Sequence, residues 1–332
     1  MLIELADPSQ AGEARRVAVA FAQDLLMDDH VCGEIALATT EIATNVLKHA
    51  GKGHILLQRF GSNGDCGLRV MGVDKGPGIA DVSRAFDDGH STAGSLGKGL
   101  GVIRRISSSF DLYSTPGSGT IISAEFLAAK PDKHVKKAIF EIGVVSEPIS
   151  GESECGDGWG TRTFPNGTAV MVVDGLGHGI LAAEAAREAE RVLARSQHTA
   201  PHNIIEDIHD ALKKTRGAAG ALARIDLQER RLYFSGIGNV SASIIGPGSS
   251  RGLASHNGTL GHYIQRVQEF TLPWNENSVL VMHSDGLTSR WDLQGYPGIL
   301  TKHASVIAAI LHRDFSRGRD DATVLVAKAA SS

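Results

Sequence analysis

The stretch VMVVDGLGHG (residues 170–179) drives an apolar run into a carboxylate, Asp174, and then strips the next turn of side chains. Gly175, Gly177 and Gly179 surround His178 there. One Asp at a strand end is ordinary turn chemistry. Here the pattern recurs. Asp157 stands in ECGDGW ahead of that run, Asp285 closes another in VLVMHSDGL, and Asp320 and Asp321 precede a third in RGRDDATVLV. Carboxylates gathered at strand ends offer oxygen donors only, the preference of hard ions such as Mg²⁺ or Mn²⁺. Two such ions can share a hydroxide and present it in line to phosphorus. No histidine or cysteine pair has zinc-site spacing.

A second set of residues lies earlier. Glu41 and Asn45 are four apart in a helical pattern, so both project from one edge of its apolar stripe. Such a pair could hold Mg²⁺ and a reacting hydroxyl; a merely polar helix face would look the same. Asp74, in VDKGPGIAD, ends a strand pattern and could accept from an exocyclic amine, while Gly76 and Gly78 would let a ring approach the backbone. A tight turn explains those residues equally. GSLGKGLG, Gly94 to Gly101, precedes a helical pattern, and its backbone N–H groups would suit phosphates.

The elements that must position these residues fall into two halves. In the first, GEARRVAVAFAQDLL has a helical period. A second helix is predicted from about Asp29 to His49, with Val31, Ile35, Ala38, Ile42, Val46 and His49 on one stripe. HILLQRF, CGLRVMGVD, FDLYS and GTIISAEF read as strands. The second half opens with a strand over Lys137 to Val145. Helices are predicted at Ile180 to Arg195 and near Asn203 to Thr215, and strand patterns follow in GALARIDL, RRLYFSGIG, SASIIG, SVLVMHSD and ATVLVAK. Pro131 and the lysines 130, 133, 136 and 137 mark a linker between the halves. The expected domains are 1–130 and 138–330, joined by 131–137, without internal repeat.

Composition bounds the function classes. The chain has 332 residues, enough for about two domains at ~150 residues each. Its formal net charge of −4 makes no electrostatic case for nucleic acid. Three cysteines without a C-x-x-C pair suit a reducing compartment. There is no apolar run of membrane-spanning length and no signal pattern at the N-terminus. The expectation is a cytoplasmic protein with neither nucleic acid nor membrane as partner. Nothing in the sequence fixes its oligomeric state.

The order of the first-half motifs, E-x-x-x-N on a helix, D-x-G-x-G after a strand, then G-x-G-x-G before a helix, resembles the GHKL ATP-binding fold. TEIATNVLKHAGKGHI and DKGPGI are most similar to the RsbT-like switch kinases of the anti-sigma-factor group. That resemblance, over roughly the first 128 residues, implies Asn45 as ligand of the Mg²⁺ of ATP and Glu41 as base towards a protein serine. It implies Asp74 on adenine, and Gly97, Lys98, Gly99, Leu100 and Gly101 on phosphate. Phosphoryl transfer needs little more than positioning and charge neutralisation. With under 30 residues ahead of the second helix in this sequence, the expectation is not a histidine kinase with its dimerising hairpin, nor a repair-type ATPase clamp with its extra transducer domain.

In the second half, G-D, D-G-x-G-H-G, S-D-G-L and D-D-x-T resemble the RsbX-like, SpoIIE-type branch of the metal-dependent type 2C serine phosphatases. The implied metal ligands are Asp157, Asp174, Gly175 through its carbonyl, Asp285 and Asp320, with Asp321 competing for the last place. His178 is read either as a loop residue shaping the site or as proton donor to the leaving serine. Cys155 is either a packed side chain or a redox-sensitive one, and Trp159 and Trp291 are read as packing rather than recognition.

The expected fold is therefore α+β: a GHKL-type α/β sandwich, then a type 2C phosphatase-like β-sandwich flanked by helices. The expected function is partner switching, with metal-dependent dephosphorylation of a phosphoserine on a STAS-domain protein. A sigma factor or stressosome-like complex lies in the same pathway, and ATP and Mg²⁺ or Mn²⁺ are the cofactors. In the rival reading, the first half binds ATP and sequesters a partner without phosphoryl transfer.

Overall fold

A computed structural model describes residues 1–61, 66–82, 99–128, 139–246 and 248–330. The chain forms two compact units, Met1–Lys137 with Gln294–Lys302, and Ala138–Leu293 with His303–Ser332. The linker expected over 131–137 lies outside the described residues.

In the first unit, β1 (Leu2–Leu5) leads into α1 (Pro8–Asp24) and α2 (Asp29–Ala50). Asp7 opens α1 with a capping box completed by Gln10, and Asp28 caps α2 through the Val31 N–H. β2 (Gly53–Phe60), β3 (Gly67–Asp74), α3 (Gly99–Ile106), β4 (Ser109–Ser114) and β5 (Thr120–Leu127) follow. The strands make one antiparallel sheet in the order β1-β2-β3-β5-β4. Ile35, Ala38, Ile42 and Val46 of α2 are buried with Ile55, Leu57, Leu68 and Val70 of the sheet. The helix comes so close that a Cβ on Gly72 of β3 would lie 2.3 Å from Ile42 Cγ2. The expected stripe is corrected at its ends: Val31 is half-buried and His49 exposed. The last turn puts Lys48 and His49 into solvent beside the helix's terminal carbonyls, where cationic side chains are favoured.

The second unit is a four-layer arrangement. Its strands are β6 (Phe140–Glu147), β7 (Asp157–Phe164) and β8 (Gly167–Gly175), then, after α4 (Ile180–Arg195) and α5 (Pro201–Ala211), β9 (Ala218–Asp226), β10 (Arg231–Ile237), β11 (Ser241–Gly246) and β12 (Ser249–Leu253). A short pair, β13 (Gly258–Thr259) and β14 (Tyr263–Ile264), precedes β15 (Phe270–Pro273), β16 (Val279–His283), α6 (Ala304–Phe315) and β17 (Ala322–Ala329). One sheet runs β15-β10-β9-β8-β7, the other β12-β11-β16-β17-β6. Val170, Val172, Ala221, Phe234, Leu280 and Leu325 fill the space between them. α4 and α5 cover the outer face of the first sheet through Ala185, Ala189, Leu193 and Ile208, against Met171, Val173 and Leu222. α6 packs on β6 and β17, close enough that a Cβ on Gly143 would strike the Ala304 backbone at 2.2 Å. A strand alternates its faces, so each inner strand feeds two cores. Among the described residues, no helix is long and apolar enough to cross a membrane.

Candidate functional sites

The strand register builds the second-unit site. Asp157 opens β7 and lies directly opposite Asp174 near the end of β8. β16 runs antiparallel to β17, and Ser284 after β16 exchanges two hydrogen bonds with Thr323 of β17: its N–H donates to the Thr323 carbonyl at 3.0 Å, and its Oγ accepts from the Thr323 N–H at 3.0 Å. The Ser284 hydroxyl then donates to Asp157 Oδ2 at 2.6 Å. Asp285 is thereby carried to the same end of the sandwich, and Asn239 Nδ2 donates to its Oδ2 at 2.8 Å.

Asp320 and Asp321 part company. The Asp321 carboxylate is 3% exposed and accepts from the backbone N–H of Ile149 at 2.7 Å and of Gly156 at 2.9 Å. It ties the 149–156 loop to the start of β17. Asp320 is exposed, with Oδ1 accepting from the Asp321 N–H at 3.0 Å. Gly175 is buried between Gly156 and α4: its N–H donates to the Gly156 carbonyl at 3.1 Å, and a Cβ there would lie 2.4 Å from the Ala182 carbonyl oxygen. The glycine is required by protein packing.

The electrostatics fit a cation site. Burial pushes Asp174 up to about 8, with Asp157, Asp285, Asp320 and Asp321 adding repulsion. Burial likewise pushes Asp157 up to about 7, against the relief given by the Ser284 and Thr323 hydroxyls. Among the described residues none of the five aspartates has a Lys, Arg or His ion-pair partner. The donors are all oxygen, which suits Mg²⁺ or Mn²⁺. Among the described residues, no three His, Cys, Asp or Glu side chains close into a tight cage. The fit therefore rests on donor chemistry and pooled charge.

On the rim, His178 pairs through Nδ1 with Glu152 Oε1 at 2.7 Å. Burial and the neighbouring Asp157 push the Cys155 thiol up to about 12, which goes with the packed reading. Trp159 borders the inter-sheet core, and Trp291 donates to His283 Nε2 at 3.0 Å. Sequence reading gave no role to Ser284 and Thr323, although they are the S of S-D-G-L and the T of D-D-x-T, and it missed Asn239, whose one signal is the glycine beside it.

In the first unit, Glu41 and Asn45 project together from α2. Gly99 begins α3 against them: a Cβ there would lie 2.5 Å from Glu41 Oε2 and 3.8 Å from Asn45 Nδ2. Asp74 ends β3 at 9% exposure, with Oδ1 accepting from the Gly76 N–H at 2.8 Å and the Thr120 N–H at 3.1 Å. Its carboxylate is thus fixed in orientation. Gly78 has φ +72°, and a Cβ there would lie 2.1 Å from the Thr115 carbonyl oxygen. At Gly76 a Cβ would lie 2.6 Å from that of Ala50. At both positions the protein's own packing takes the space. Gly119, unremarked in the sequence, lies so close to Asp74 that a Cβ would meet its carbonyl oxygen at 2.1 Å. Leu100 and Gly101 continue α3; Gly97 and Lys98 lie outside the described residues.

Known proteins share both units. A family model described as Stage II sporulation protein E (SpoIIE) matches residues 165–330, and one described as histidine kinase-like ATPase domain matches residues 5–126. The serine/threonine-protein kinase RsbT of Bacillus subtilis is 41% identical over 90 residues, covering 27% of this chain and 68% of RsbT. The phosphoserine phosphatase RsbX of the same organism is 25% identical over 162 residues, covering 48% of this chain and 79% of RsbX. A crystal structure of RsbX in complex with magnesium shares the fold, with a TM-score of 0.51 at 23% identity over 59% of this chain and 98% of that one.

Proposed function

The chain belongs to the SpoIIE family through its second unit and to the RsbT-like histidine kinase-like ATPases through its first, and from that premise we propose a partner-switching regulator that removes and adds one phosphate. The second unit is a type 2C serine/threonine phosphatase. Its substrate is a phosphoserine on a STAS-domain protein of the anti-sigma-antagonist or stressosome type, and its setting is the cytoplasm. The observation that carries this is the opposed pair Asp157 and Asp174, joined at one end of the sandwich by Asp285 and Asp320. Pooled carboxylates of this kind call for divalent cations, and a target between such cations is a phosphate ester.

Asp157, Asp174, the Gly175 carbonyl, Asp285 and Asp320 would hold two Mg²⁺ or Mn²⁺ ions. Those ions supply the Lewis acidity that activates water against phosphorus. The chain's own residues keep the donors in place: Ser284 holds Asp157, Asn239 holds Asp285, and Asp321 anchors the loop that carries Gly156. Water adds to phosphorus, the bond from phosphorus to the serine oxygen breaks, and that oxygen leaves with a proton.

In the first unit, Asn45 would bind the Mg²⁺ of ATP, Asp74 the adenine and the Gly99 end of α3 the phosphates. Glu41 would take the proton of the attacking serine hydroxyl. The support is the juxtaposition of Gly99, Glu41 and Asn45 together with the 41% identity to a serine kinase. Opposed activities on one chain would cycle ATP wastefully, so a signal must gate one of them.

Hydrolysis of a phosphoserine STAS protein by the purified chain, with Mn²⁺ and with chelator, tests the reading. Turnover that needs metal and is lost in Asp174→Asn supports it. No turnover with Mn²⁺ sinks the phosphatase half. Absence of transfer from ATP to the dephosphorylated STAS protein leaves the first unit as an ATP-dependent binding module.

A further inference from the structure

A site made of carboxylates and their cations still lacks a group that recognises the phosphate itself. Arg216, on the turn before β9, is in place to do so. A Cβ on Gly177, in the glycine turn that follows Asp174, would lie 3.1 Å from Arg216 Nη1, so the guanidinium lies against that turn. The backbone around it is bolted to the same turn. The Leu176 N–H donates to the Gly217 carbonyl at 3.0 Å, and His262 Nε2 lies 2.8 Å from the Arg216 carbonyl oxygen. Gly217 has φ +80°, with the His262 ring 2.6 Å from where its Cβ would be. The turn in its own right touches the metal-binding strand: the Gly177 carbonyl oxygen is 3.3 Å from the Cβ position of Gly156, next to Asp157.

Resting on the phosphatase reading above, we propose that Arg216 is the phosphate-binding residue of the second unit, gripping non-bridging oxygens of the phosphoserine while the carboxylate-held ions take the others. Arg216 is exposed and, among the described residues, forms no ion pair. A planar guanidinium with paired N–H donors matches two phosphate oxygens, which an ammonium cannot do as well. Arg317 is the rival cation, since its N–H bonds the Gly286 carbonyl at 2.8 Å.

The experiment compares full-length wild type, Arg216→Ala, Arg216→Lys and Arg317→Ala with saturating Mn²⁺. It follows hydrolysis of a phosphoserine peptide and inhibition by inorganic phosphate. Loss of a charge-assisted contact predicts that Arg216→Ala raises both KM and the phosphate inhibition constant about 10-fold to 100-fold. The Mn²⁺ concentration for half-activation stays at the wild-type value, which a general loss of structure would not allow. Arg216→Lys recovers part of the effect and Arg317→Ala shows none. Unchanged KM and inhibition constant in Arg216→Ala, or the same losses in Arg317→Ala instead, overturn the proposal. Wild type that hydrolyses nothing with Mn²⁺ and binds no phosphate overturns the phosphatase reading, and this inference with it.

Discussion

Asp157 and Asp174 face each other across β7 and β8 as directly paired residues. Like charges opposed on adjacent strands destabilise a sheet, and both carboxyls are pushed up, to about 7 and about 8. The folded state therefore holds protons that the unfolded chain gives up near the ordinary carboxylate value of 3.8. The sign follows from linkage. The stability these protons contribute is complete below pH 3.8 and is lost as pH rises through about 7 and 8. In chelator, the melting temperature of the second unit should fall across that window. Mn²⁺ should reverse the fall. Asp174→Asn should melt higher than wild type in chelator, by about 2–4 °C for each ~1 kcal/mol of repulsion removed, and should no longer respond to Mn²⁺. A mutant that melts lower in chelator would contradict the repulsion.

Asp320 and Asp321 are adjacent but do different work. Asp320→Asn should lower Mn²⁺ affinity and, by relieving some repulsion on Asp174, leave the melting temperature in chelator no lower than that of wild type. Asp321→Asn loses an acceptor for one of two backbone N–H groups, the half-buried one of Ile149 or the buried one of Gly156. It should cost about 1–3 kcal/mol of stability while retaining turnover at saturating metal. Paired thermal melts and Mn²⁺ titrations decide. If Asp321→Asn abolished metal binding without loss of stability, the two roles would be reversed.

Much of this was legible in the sequence. The apolar period marks α4 at its observed ends and α2 to within a turn, because both helices have one buried and one solvent face. α6 went unread for the opposite reason. Every residue from Ala304 to His312 is buried, so no polar stripe gives it a period. β7 went unread because GWGTRTF carries glycines where its apolar face should be, and these give room to α4: a Cβ on Gly158 would meet Ala186 Cβ at 2.9 Å. The carboxylates announced themselves through flanking glycines. What orients them, Ser284, Asn239 and the two N–H groups held by Asp321, depends on strand register, which no local pattern encodes.

Cys155 lies two residues before Asp157, but its thiol is pushed up to about 12 by burial and by that carboxylate. The thiolate is the reactive form. At pH 8 iodoacetamide should leave Cys155 unmodified in the native protein and label it in urea. Mass spectrometry of the peptide carrying it reads the outcome. Rapid native labelling would reopen a redox role.

Gly99 places α3 against Glu41, with no space for a methyl group between them. The pair separates two functions of the first unit. If Glu41 is the base proposed above, Glu41→Ala should retain ATP affinity and should lose phosphoryl transfer by about 10²–10⁴-fold, the usual contribution of a general base. Asn45→Ala should lose Mg²⁺-dependent ATP binding itself. Gly99→Ala should impair both, since its Cβ would press on Glu41 Oε2 and stand near Asn45 Nδ2. Isothermal titration with ATP and Mg²⁺, run beside transfer to a STAS protein, distinguishes the three. Undiminished transfer in Glu41→Ala would remove Glu41 as the base and leave α2 as a nucleotide-binding helix only.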